Sequence, residues 1–458
     1  MIGFLTYNKN KSHDDFILGG RRTGAWVIAL AERSSGESAW LILGLPGLAY
    51  ASGLIGMWDA LGCVIGIFLY WYLIATKLRH TSEINKSITL PGYFAQHFAS
   101  LQKPLRLTAT IIIIFFFTFY LAAQFNGAGK VLNVTFGIPN VYGILIGTVI
   151  IVIYTMMGGF LAVVWTDMIQ GILMFGALVI LPLVGFVDIM EQHKSLHAAI
   201  ADAGINHADI TGGQTGWAAF AVILSGLSWG LGYMGQPHLL TKFMAIDKVE
   251  NIKISRRIAF VWAVPAFTGA MMIGLLGLVY FKQGAFADTE FVMPQLATRL
   301  LPGWIAGIMI SAAIAAMMST ADSQLLAISS SVIEDIYHKF LGNDAVTEKI
   351  LLRLSRIITI IVGVMAFVIS ITSKKLVFAM VSYAWAGLGA AFGPAMLLTL
   401  WWKKTTAKGV LAGMIVGTVV TIVWTSIPEL ERVVSSRFTA WVSAFFTIVI
   451  LSHFSKEE

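Results

Sequence analysis

Stretches of apolar residues, each closed by a short polar segment, recur from residue 24 to residue 454. A helix of roughly 20 apolar residues is long enough to cross the ~30 Å hydrocarbon layer of a bilayer. On this pattern we expect twelve helical spans, at 24–50, 53–76, 104–130, 139–157, 160–189, 217–241, 257–281, 303–333, 350–372, 376–402, 407–426 and 438–454. The fold class that follows is an all-α polytopic membrane protein embedded in lipid.

Composition agrees with the pattern. Only 12% of the 458 residues are charged and 57% are hydrophobic, whereas a soluble domain carries about 25% charged residues. The net charge of +7 is spread over the loops, so it points to orientation in the membrane and not to a nucleic-acid partner. One set of alternating loops holds twenty Lys and Arg residues and the other holds eight. Cytoplasmic loops are the positive ones, so the first span is expected to run outward and the C-terminus to end in the cytoplasm. Cys63 is the sole cysteine, which excludes an internal disulfide. No cleavable signal peptide is visible. Met1–Tyr7 is apolar but too short to span, and reads as the tail of a helix whose start is missing.

One stretch breaks the apolar rule. Ala29–Gly47, ALAERSSGESAWLILGLPG, places Glu32, Arg33 and Glu37 in a hydrophobic run, with a Ser34-Ser35-Gly36 interruption and Pro46-Gly47. Charges at membrane depth are costly and face a site or a cavity. Gly, Ser and Pro let a membrane helix open and free backbone carbonyls. The expected object is a broken helix that holds a cation and a solute.

The sixth span repeats the device in SGLSWGLGYMGQPH, Ser225–His238. Five spans precede the outer loop 190–216, so the sixth starts in the direction opposite to the first. Broken segments at matching places of two inverted halves are the sequence mark of a transporter site. The alternative is a pair of ordinary kinked helices. The outer loops, with His193, His197 and His207, are read as solvated, and the loop 242–257 as an interfacial anchor without chemistry.

Span eight, GWIAGIMISAAIAAMMSTADSQLLAISSS, puts Ala316, Ser319, Thr320 and Ser323 on one face, with Asp322 to the side. Hydroxyls and carboxylates are hard oxygen donors of the kind a sodium ion takes in place of water. The competing reading is close helix packing through small residues. Asp167, inside the fifth span, needs either a cation or the hydroxyls of span eight. Trp40, Tyr120, Trp229 and Tyr233 could wall a solute pocket, although most membrane aromatics face lipid.

Taken together, these stretches resemble the sodium:solute symporter family, most closely its sodium/proline members. The resemblance rests on Asp14–Gly24, Ser38–Gly47, Gly158–Gln170, Ser228–Leu240, Met317–Leu326, Glu334–Tyr337 and Val381–Pro394. It implies a leucine-transporter-type inverted repeat of five plus five helices with peripheral helices. The segments are 1–23, a shortened peripheral helix and loop; 24–189, the first repeat; 190–216, an outer loop; 217–402, the second repeat; and 403–458, two further peripheral helices. It implies a main sodium site from the carbonyls of Ser34, Glu37 and Ala316 with the hydroxyls of Ser319 and Thr320. A second sodium position falls on Asp167, Ser319, Asp322 and Ser323. The proline pocket falls on Ser38, Trp40, Tyr120, Trp229 and Tyr233. Where those relatives carry an Asp important for sodium, this chain has Gly36. Glu37 next to it is expected either to take over part of that charge or to pair with Arg33.

The function expected is sodium-coupled import of a small solute across the cell membrane, a bacterial inner membrane, with L-proline first among the cargoes. Other amino acids, a sugar, sialic acid, pantothenate or a carboxylate are the rivals within that class. A receptor on the same fold, an enzyme and an open channel are disfavoured. No nucleophile–base pair is present, and broken helices imply an occluded site. The sequence leaves the oligomeric state open.

Overall fold

The computed structural model describes residues 13–342 and 347–455; Met1–Tyr7 therefore lies outside the described residues. Every regular element among them is helical, apart from an isolated bridge between Thr23 and Ile246. Among the described residues, ten helices are long and apolar enough to cross a membrane. The first of these, Ala25–Ile84, contains two of the expected spans, divided at Gly53, whose φ of 68° suits glycine. The fourth and fifth spans form one continuous element, which turns at Gly159 (φ 60°, ψ −176°).

In chain order, α1 is Ala25–Ala39, α2 Leu45–Ser52, α3 Met57–Tyr70, α4 Gln102–Phe136 and α5 Asn140–Glu191. α6 is Gly216–Leu227, α7 Trp229–Gly232, α8 Pro237–Ala245, α9 Asn251–Tyr280 and α10 Gly303–Ser330. α11 is Glu348–Thr372, α12 Val377–Trp401, α13 Ala407–Ser426 and α14 Ser436–Phe454. Long side chains such as Ile153, Ile172, Leu183, Val261, Val364, Val419 and Ile450 stay exposed, as a lipid-facing surface requires. The central helices α1, α4, α10 and α12 are buried along most of their length.

Both halves are interrupted, but the first break falls at Ser38 and not at Ser34-Ser35-Gly36, which stay helical. α1 breaks at Ser38, whose backbone stands at φ 49°, ψ −167°, a region otherwise occupied almost only by glycine. A π-turn, Trp40–Gly44, then leads into α2. In the second half a 3-10 turn, Tyr233–Gly235, and extended Gln236 (φ −85°, ψ 108°) separate α7 from α8, with Pro237 at its start.

Glycines bring α3 and α7 into backbone contact. A Cβ on Gly66 would stand 2.4 Å from the Gly230 backbone, and one on Gly230 would stand 2.2 Å from the Gly62 carbonyl oxygen.

Two loop expectations need correction. Residues 242–245 of the supposed anchor loop are the buried last turn of α8. His207 is not a solvated loop residue. It is 8% exposed, and its Nε2 lies 3.0 Å from the Ala51 carbonyl and 3.1 Å from Gln283 Nε2. It fastens the outer loop to the end of the first span.

Candidate functional site

The break in α1 lies against α10. Ser319 Oγ donates to the Ser34 carbonyl at 3.1 Å, and Thr320 Oγ1 donates to the Ser35 carbonyl at 3.0 Å. Ser319 Oγ also lies 3.1 Å from the Ala316 carbonyl. Ser34, Ser35, Ala316, Ser319 and Thr320 are all fully buried. Main-chain carbonyls next to the break and hydroxyls from a neighbouring helix thus converge. The Glu37 carbonyl instead accepts from the Trp40 amide.

The Glu37 side chain turns away from this cluster. Arg33 Nη1 donates to Glu37 Oε1 at 2.6 Å, and Arg33 Nε donates to Glu32 Oε2 at 2.7 Å. Tyr233 OH donates to Glu37 Oε2 at 3.0 Å. Tyr70 OH donates to Glu32, while Trp71 Nε1 reaches the same carboxylate at 3.2 Å. Of the two readings of Glu37, the pairing with Arg33 is present in the structure. It belongs to a buried network that joins α1 to α3 and to the second broken segment. An uncompensated charge at this depth would be very costly, and the network supplies each carboxylate with donors.

Below the break, Asp167 is fully buried. Its Oδ2 accepts from Ser35 Oγ at 2.8 Å, from Ser323 Oγ at 3.2 Å and from Lys242 Nζ at 2.9 Å. Asp322 is also buried, and neither of its carboxylate oxygens takes a hydrogen bond from the protein. Lys242 escaped the sequence reading, which counted it among the loop charges. Its signal was the apolar setting PHLLTKFMA, which continues α8 past the expected end of the span.

The aromatic set converges as well. The Trp40 and Trp229 rings stack at 4.2 Å. Tyr120 OH lies 3.3 Å from Ser38 Oγ, which in turn lies 3.3 Å from the Trp40 amide. Gln124 accepts the Ala39 amide at 3.0 Å, satisfying a backbone donor freed by the break. The indole N–H groups of Trp40 and Trp229 are buried without a protein acceptor.

Trp385 and Phe378, both on α12, join this ring cluster. Trp385 lies 4.8 Å from the Tyr233 ring, Phe378 lies 5.2 Å from Trp229, and Trp385 Nε1 donates to the Trp229 carbonyl at 2.9 Å. A profile of the sodium:solute symporter family matches residues 16–417. The chain belongs to the sodium:solute symporter family.

Among relatives, the sodium/proline symporter of Escherichia coli (strain K12) is 39% identical over 431 residues, which cover 93% of this chain and 85% of the relative. The high-affinity proline transporter PutP of Bacillus subtilis (strain 168) is 40% identical over 427 residues, covering 93% and 89%. A solved structure, the substrate-bound outward-open state of a Na+-coupled sialic acid symporter, aligns with a TM-score of 0.76 at 19% identity, covering 99% of this chain and 95% of that one. The symporter therefore has the leucine-transporter-type fold and is a multi-pass plasma-membrane protein.

On one side of the ring stack the symporter carries a cavity of about 690 Å³, lined among others by Asp59, Trp217, Phe378, Arg432 and Arg437. The Arg437 guanidinium sits 4.4 Å from the Trp229 ring centre, within cation–π range. A smaller cavity of about 30 Å³ touches His238, Lys242 and Ser323. Glu290 accepts the amides of Val377 at 3.0 Å and Phe378 at 2.8 Å. It also pairs with Lys130, so that a loop carboxylate caps the first turn of α12.

Proposed function

We propose that this symporter imports L-proline together with sodium by alternating access. The observation that carries the reading is the meeting of the Ser34 and Ser35 carbonyls with the hydroxyls of Ser319 and Thr320. A sodium ion held there by Ser34, Glu37 and Ala316 carbonyls with Ser319 and Thr320 would join α1 to α10 and fix the break at Ser38. The solute then meets an ordered site. Ser38 and the N-terminal end of the half-helix that follows the break face its carboxylate, where the helix dipole favours negative charge. The pyrrolidine ring packs among Trp40, Tyr120, Trp229 and Tyr233. The unpartnered indole N–H groups of Trp40 and Trp229 are further donors for the solute. Two relatives at 39% and 40% identity that are named for proline support the choice of cargo.

Sodium entry is driven by its gradient and by the membrane potential, at about 2.3 kcal/mol per charge per 100 mV. Binding is reciprocal, so sodium raises solute affinity as much as solute raises sodium affinity. The solute crosses unaltered. The C-terminus lies in the cytoplasm, in line with the distribution of Lys and Arg, and 24–189 and 217–402 act as the two inverted repeats.

The test is uptake of radiolabelled proline into proteoliposomes. Accumulation is expected under an inward sodium gradient and not under a potassium gradient. Failure of proline to accumulate under any gradient rejects the cargo. A sodium gradient without effect on any solute rejects symport.

A further inference from the structure

Lys242 is surrounded as a metal ion would be. Its ammonium donates to the Ala31 carbonyl at 2.8 Å, to Asp167 Oδ2 at 2.9 Å and to Ser35 Oγ. Ser323 Oγ lies 3.1 Å from Ser35 Oγ and 3.2 Å from Asp167 Oδ2. A carbonyl, a hydroxyl and a carboxylate are the oxygen types that hard cations take. The ammonium is a compact, strongly hydrated point charge, so burying it demands such donors in place of water. The side chain of Lys242 is 1% exposed and that of Asp167 is not exposed at all. Asp322 is within electrostatic reach of the same ammonium.

We propose that Lys242 is an internal cation, occupying the position between Asp167 and Ser323 that a second sodium would otherwise take, and that it thereby restricts the symporter to one sodium ion per solute. The inference rests on the symport reading above and adds the ion count to it. A metal ion at Asp167 would have to displace the ammonium from three of its oxygens or share one carboxylate with it, and like charges repel strongly where water is excluded. The ammonium is tethered to α8 and cannot leave with the solute. Asp167 is then neutralised throughout the cycle, and the exchangeable charge is confined to the Ser34–Ser319 position.

The test is equilibrium binding of radioactive sodium to the purified full-length chain in detergent, counted per folded molecule. The wild type is expected to bind one ion, Lys242→Met two, and Lys242→Arg one. The double variant Asp167→Asn/Lys242→Met is expected to return to one, because the carboxylate that attracts the extra ion is gone. Where Lys242→Met does not fold, Lys242→Gln, which keeps a donor for the Ala31 carbonyl, carries the same expectation of two ions. A folded uncharged variant that binds one ion, or a wild type that binds two, overturns the proposal while leaving symport intact. A wild type that binds none overturns both.

Discussion

Ser319 Oγ reaches the Ser34 carbonyl at 3.1 Å across 285 positions of sequence. One residue on, Thr320 repeats the contact with Ser35 at 3.0 Å. The two hydroxyls thus face consecutive carbonyls next to the break. Ser319→Ala or Thr320→Ala removes one oxygen from the proposed sodium position. A net loss of about 1–3 kcal/mol for a buried polar partner corresponds to roughly a 5- to 150-fold rise in the half-saturating sodium concentration. Initial rates of proline uptake against sodium concentration measure it, and an unchanged half-saturation would move the ion elsewhere.

Ser38 combines a strained backbone with a useful hydroxyl. Its φ of 49° is costly for any residue but glycine, by ~1–3 kcal/mol. Ser38→Gly relieves that strain and removes the oxygen beside Tyr120 and the Trp40 amide. The variant should unfold at a temperature no lower than the wild type, yet need roughly 10-fold more proline for half-maximal uptake. Labelling of the buried Cys63 by a thiol-reactive dye during heating reports the unfolding. Undiminished affinity would remove Ser38 from the pocket.

Glu37 sits between Arg33 and Tyr233, one residue after Gly36. Glu37→Gln keeps its shape and deletes its charge. If the carboxylate contributes to the field at the sodium position, the half-saturating sodium concentration rises several-fold, by ~1 kcal/mol or more. An unaltered sodium dependence, with lowered thermal stability, would mean that Glu37 serves Arg33 alone.

Glu290 holds the start of α12, the helix that carries Phe378 and Trp385 to the aromatic cluster around Trp229. Glu290→Gln leaves Lys130 with Asp288, 2.6 Å away, and weakens the cap. A stability loss of about 1–3 kcal/mol follows from an under-satisfied buried group. Preloaded proline should also leak faster from proteoliposomes in the absence of sodium. Wild-type leak and wild-type unfolding together would contradict the capping role.

The helices were legible because their signal is local. A run of apolar residues is the same statement in sequence and in lipid, and Gly, Ser and Pro mark where a helix opens. The face geometry of α10 likewise set Ser319 beside Thr320. Across the fold, composition gives no distances: the partner of Asp167 was narrowed to a cation or the hydroxyls of span eight, and the structure supplies Ser323, Ser35 and the ammonium of Lys242. Lys242 and Arg437 fell in stretches read as loops, because a count of basic residues near span ends cannot tell a side chain that reaches water from one that turns inward. Phe378 and Trp385 carried no mark either, since an apolar ring against a solute and one against a neighbouring helix look alike in sequence. His207 was misread for the same reason: its anchor, Ala51, is 156 positions away.

The glycine contact between α3 and α7 bears on how the molecule can move. With no side chains between Gly66 and Gly230, there is nothing compressible to absorb slip, and a shift of even a methyl group's width would drive one main chain into the other. These two segments must therefore swing as one lever. The pliant joint has to be sought beyond their ends, at extended Gln236, and a bulkier residue there should slow turnover while leaving both ligands as tightly held as before.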